Sequence, residues 1–78
     1  MRIKQLRLIV TFHTTTAAMA MEKVCAAQGV PGRLIPVPRD ITAGCGVAWS
    51  APPDARDVIE KTAREAGIET DGWFELMV

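Results

Sequence analysis

The strongest constraint on the fold is a pattern that occurs twice: a β-rich run followed by a helix with a capping residue at its start and a glycine at its end. The first copy opens with Leu6 to Phe12, LRLIVTF. Leu6, Leu8, Val10 and Phe12 share one face and Arg7, Ile9 and Thr11 the other, as in a strand with one well-buried side. His13-Thr14-Thr15-Thr16 follows, then AAMAMEKVCAAQ and Gly29. A threonine supplies the N-cap, Ala and Met favour helix, and Gly29 is placed to end it. The inward stripe is read as Ala17, Ala20 or Met21, Val24 and Ala27.

The second copy runs from Cys45 to Ala51, CGVAWSA, into Pro52-Pro53-Asp54, which stops the strand and caps a helix ending at Gly67. Asp54 and Asp57 stand at capping-box-like spacing, and Val58, Ile59, Thr62, Ala63 and Ala66 form the apolar stripe. Between the copies, Val30-Pro31-Gly32 is a turn and Arg33 to Val37, RLIPV, a short strand. Pro36 puts that strand at a sheet edge, because proline donates no ladder hydrogen bond. The chain closes with Trp73 to Val78, WFELMV, read with Phe74, Leu76 and Val78 toward the helices. The order β-α-β-β-α-β predicts an α+β fold, a ferredoxin-like sandwich. Its four-stranded antiparallel sheet has strand order 4-1-3-2 and carries both helices on one face.

Composition narrows the function. Residues 1–78 are read as a single domain, and 49% apolar residues argue against disorder. Nine Lys/Arg balance nine Asp/Glu, so no basic excess marks a nucleic-acid binder. No apolar run reaches the roughly 18–20 residues of a membrane span. The start, MRIKQ, has no signal-peptide pattern, so the expected location is cytoplasmic. Two cysteines make neither a disulfide framework nor a metal-ligand spacing, and no cofactor or metal is expected. A chain this short buries only about 60% of its unfolded surface. A homodimer is therefore expected, through the open sheet face or a strand edge, with Ile9, Trp49 or Trp73 at the contact.

The predicted topology gathers chemistry at one end of the sheet. Cys45 opens the third strand where His13 closes the first, Thr14, Thr15 and Thr16 begin the first helix, and the loop holding Arg39 returns there. A helix N-terminus and a nearby cation both favour a thiolate. Gly44 and Gly46 flank Cys45, leaving the sulfur approachable and shaping the loop. Each feature also has a plainer reading. Cys45 can be a small apolar strand residue between bulge glycines. His13 can be a strand-end histidine rather than a proton partner, and the threonines can simply cap the helix. Arg39 can pair with Asp40 rather than with a bound anion. Cys25 is read as a half-buried helix residue, too far along the helix to pair with Cys45.

The segments TFHTTTAAMAMEK, GVPGRLIPVPRDITAGCGVAW and the proline pair after them resemble a small bacterial family of selenium/sulfur carrier-like proteins. The most specific stretch is Pro36 through Trp49, where PVPR, a threonine-containing spacer and GCG stand in register. The resemblance implies a carrier cysteine, which maps onto Cys45. It also implies the company of a cysteine desulfurase or a selenophosphate synthetase. On this reading the chain is a carrier rather than a multiple-turnover enzyme, holding a persulfide or selenopersulfide on Cys45. The reading from a different class is a small anion-binding or protein-interaction module in which Cys45 is structural.

Overall fold

A computed structural model describes residues 4–39, 41 and 45–78 of the chain. Its elements are β1 (Leu6–Thr11), α1 (Thr15–Gln28), β2 (Arg33–Pro36), β3 (Val47–Ala51), α2 (Arg56–Ala66) and β4 (Gly72–Met77). The strands form one antiparallel sheet in the order β2-β3-β1-β4, the sandwich that the element order predicts.

Register sets the two faces. Val10 lies opposite Trp49 on β3 and Trp73 on β4, and Trp49 lies opposite Leu34 on β2. This row faces the helices and belongs to the main core, together with Leu8, Phe12, Ala18, Met21, Cys25 and Ile59. The other face is covered as well. Ile9 and Ala48 are buried beneath Ile41, with Ile35, Val37 and Leu76 packed around them. The expectation of one well-buried side on β1 is therefore corrected, since Ile9 and Thr11 are as buried as Leu8 and Val10.

Trp49 and Trp73, expected at a contact between copies, do not lie on the open sheet face either. Trp49 is 2% exposed in the main core, and Trp73 is half-buried on the helix side. Neither Ile9 nor Trp49 offers a contact surface. In β4 the phase is the reverse of that expected. Pairing Trp73 with Val10 turns Phe74 and Leu76 to the face away from the helices. Local alternation in WFELM cannot choose between the two phases; the long-range register does.

Both helices close on left-handed glycines, Gly29 and Gly67. Thr14 caps α1, its hydroxyl oxygen accepting from the Ala17 N–H at 3.1 Å. The buried stripe of α1 is Ala18, Met21 and Cys25, rotated from the predicted one, and Ala20 and Ala27 are exposed. Asp54 does not cap α2. Pro53–Ala55 form a 3₁₀ turn in which the Ala55 N–H donates to the Pro52 carbonyl, and Ala55 at the cap makes no side-chain bond. Backbone carbonyls of the tighter turn replace the carboxylate that the sequence offers. On α2, Ile59, Thr62 and Ala63 are buried, whereas Val58 and Ala66 are exposed. The Thr62 hydroxyl is satisfied by donating to the Val58 carbonyl at 2.7 Å.

At Gly32 the backbone comes close against the core. Its φ is +131°, and a Cβ there would lie 2.6 Å from Cε2 of Trp49 and 2.8 Å from the Ser50 carbonyl oxygen. Gly32→Ala would thus combine backbone strain with displacement of a core indole. The expected loss is about 2–4 kcal/mol of unfolding free energy in urea titration. A loss within error of zero would show that Trp49 has room to move.

Candidate functional site

Cys45 lies in the turn just before β3, not in the strand itself. Its thiol is half-buried, packs against the main core and donates to the Val47 carbonyl, with Sγ 3.3 Å from the oxygen. The turn is shaped by Gly46, whose φ of +77° is a left-handed value that a side chain resists. The Gly46 carbonyl also accepts from the Val37 N–H at 3.1 Å, closing the connection between β2 and β3. Gly44, the other glycine expected to shape this loop, lies outside the described residues.

Pairing of Thr11 with Ala48 puts the Cys45 turn at the end of the sheet from which α1 departs. His13, Thr14, Thr15 and Thr16 share that end, and the contacts of His13 and Thr14 run to Asp71 and to the Ala17 N–H. The His13 Nε2 is 3.6 Å from Oδ1 of Asp71, just before β4. Because β3 and β4 flank β1 on opposite sides, this contact draws the imidazole away from the Cys45 side. His13, Thr14 and Thr16 line a shallow depression of about 300 Å³ with Gly67, Ile68 and Glu69 at the end of α2. The Thr14 hydroxyl is occupied by its cap bond. Arg39 is exposed on the connection between β2 and β3.

Cys25 is the chemical opposite of Cys45. It is fully buried on α1, and burial pushes its thiol up from the ordinary value of 9.0. Its backbone carbonyl accepts from the N–H groups of Gly29 and Val30, so the residue is also part of the helix stop. Both thiols are free. No group of His, Cys, Asp and Glu among the described residues is arranged to hold a metal ion.

The face away from the helices holds a larger groove, of about 810 Å³, lined by Arg7, Arg33, Pro36, Pro38 and Ser50 among others. Arg7 Nε donates to the Ser50 hydroxyl at 3.2 Å, and Nη2 to the Ser50 carbonyl at 3.5 Å. Local sequence does not mark this pair. Its only signal is alternation, which places Arg7 opposite the apolar face of its strand, and the partner Ser50 lies far along the chain.

The model of the family described as "Putative Se/S carrier protein-like" matches residues 7–75, from within β1 to within β4, and so spans the Cys45 turn. The chain belongs to this Se/S carrier-like family. No match was found among curated proteins or among solved structures. In this family member, no helix is long and apolar enough to cross a membrane among the described residues.

Burial of Cys25 has a pH signature. Its folded-state pKa is raised, so the unfolded chain loses the thiol proton first as pH climbs. The stabilising contribution is complete below the ordinary thiol value of 9.0 and falls away above it. Urea titrations from pH 7 upward should show the wild type losing stability relative to Cys25→Ala as pH passes that value. Parallel curves for the two proteins would contradict a buried, proton-retaining Cys25.

Proposed function

We propose that this Se/S carrier-like protein carries a sulfur or selenium atom on Cys45 and passes it from a donor protein to an acceptor. The observation that supports this most directly is the contrast between the two cysteines inside a chain of this family. Cys25 is sealed in the core, whereas Cys45 sits half-buried on a glycine-shaped turn.

The loading step is a thiol exchange. The Cys45 thiolate attacks the terminal sulfur of a donor persulfide, R–S–SH. A Cys45–S bond to that sulfur forms, and the donor's S–S bond breaks. Its electron pair leaves with the donor as R–S⁻, so Cys45–S–SH and a donor thiolate result with no net oxidation. Selenium replaces the terminal sulfur without changing this balance. Attack by an acceptor thiolate on the terminal atom returns Cys45 to its thiolate. In this reading Arg39, on the same connection as Cys45, supplies positive charge for the terminal anion. The first-turn N–H groups of Thr15 and Thr16 add donors at that end of the sheet. In this reading the sulfur step needs no proton from His13, whose contact is with Asp71. The donor fitting this chemistry is a cysteine desulfurase, and a selenophosphate synthetase is the corresponding selenium-handling partner.

Loading can be read by mass. Reduced protein incubated with a cysteine desulfurase and free cysteine should gain one sulfur atom on the peptide holding Cys45. The gain should vanish in Cys45→Ser and persist in Cys25→Ser. An unmodified Cys45 across several persulfide donors would remove the carrier reading and leave a binding module with a structural cysteine.

A further inference from the structure

The two edges of the sheet are built differently. At the β2 edge, the Val37 N–H donates to Gly46, so strand alternation turns Arg33 and Ile35 toward β3 and Leu34 and Pro36 outward. Pro36 therefore stands at an outward position, where its missing N–H removes one of the donors that another strand would need, and Pro31 and Pro38 flank the strand. No such device protects β4. Gln5 and Val78 exchange both backbone bonds, each at 3.0 Å, which fixes the phase of the β1–β4 ladder. By alternation the N–H and C=O groups of Trp73, Glu75 and Met77 point away from β1. No proline occurs between Gly67 and Val78. Of the exposed large apolar residues, Leu6, Phe74, Met77 and Val78 all lie on β4, its continuation or its partner end of β1. An unblocked edge with an apolar margin is the usual template for another strand.

We propose that the occupant is a second copy of this chain, paired β4 to β4 in antiparallel fashion about a two-fold axis through Phe74. Charge favours this occupant and this register over one centred on Glu75. An axis through Glu75 would set two carboxylates directly opposite each other, which is unfavourable. An axis through Phe74 instead pairs Trp73 with the other copy's Glu75 on the helix side. There the Arg56 guanidinium, whose Nε donates to Glu60 Oε1 at 3.2 Å, lies over the Trp73 ring, 5.5 Å from its centroid. Each Glu75 thus approaches the partner's Arg56, and the relation is reciprocal, as an isologous interface requires. On the other face the two Phe74 rings meet. Reciprocal bonds between Trp73 and Glu75 join two four-stranded sheets into one of eight strands. Of the two contacts expected from the sequence, the open sheet face and a strand edge, this proposal takes the edge.

Sedimentation velocity across a wide concentration range tests this. The wild type should sediment as a dimer that dissociates on dilution. Glu75→Pro removes an outward N–H without touching the β1 ladder and should be monomeric while keeping its circular dichroism spectrum. Glu75→Lys keeps the backbone donor but sets a cation against Arg56, and should weaken the dimer about tenfold. In a Cys25→Ala, Cys45→Ser background, Phe74→Cys should cross-link on oxidation. Residues facing each other across a non-hydrogen-bonded pair have Cα atoms about 4.5 Å apart, within disulfide reach. A monomeric wild type at every concentration, a dimer unaffected by both Glu75 variants, or cross-linking through Leu76→Cys in place of Phe74→Cys would overturn the proposal.

Discussion

Val10 packed between two indoles is the contact on which the rest of the sheet depends. With Trp49 on one side and Trp73 on the other, a single β-branched residue on the central strand fixes the register of both neighbours. The consequences spread outward. Trp49 reaches Leu34 on the edge strand and needs a bare backbone at Gly32, which explains a glycine where the chain turns into β2. Trp73 donates to the Thr70 hydroxyl at 3.0 Å and receives Arg56 from the first turn of α2, which ties the second helix to the far edge. In so small a domain a few aromatic residues supply much of the buried apolar area.

What the sequence makes legible is local. The threonine cap of α1, the glycine stops of both helices and the edge position of Pro36 need only nearest neighbours to be read, and each occurs in the structure. What stays hidden depends on distant partners. An alanine-rich helix such as α1 has little contrast around its circumference, so its sequence does not say that Cys25 rather than Ala20 or Ala27 faces the core. WFELM is apolar on both faces, and only pairing with Val10 sets its phase. The burial of Ile9 requires Ile41, which belongs to the connection between β2 and β3. At the candidate site the same division holds. The GCG signal locates the exposed turn, but nothing near His13 in the chain announces Asp71, so the imidazole's direction is invisible until β4 is in place.

The two cysteines show how a small scaffold sorts like chemical groups by position alone. Both belong to the same buried cluster, one inside it and one at its margin. Cys25 serves packing and its proton is held more tightly for that reason. Cys45 touches the same core but is carried by a turn whose left-handed glycine keeps the backbone out of the strand. Reactivity can therefore differ between them with no dedicated catalytic apparatus.

The environments of the two indoles carry one more consequence. The Trp49 N–H is buried without a hydrogen-bond partner among the described residues, whereas Trp73 is half-buried and bonded to Thr70. An indole denied polar neighbours emits at shorter wavelength than one beside a hydroxyl and solvent. The chain therefore holds two intrinsic fluorophores of different colour, one reporting on the core beside Gly32 and the other on the start of β4. Because each occupies one flank of Val10, their spectra can be followed separately in single-tryptophan variants, giving the two halves of the sheet distinct optical signals.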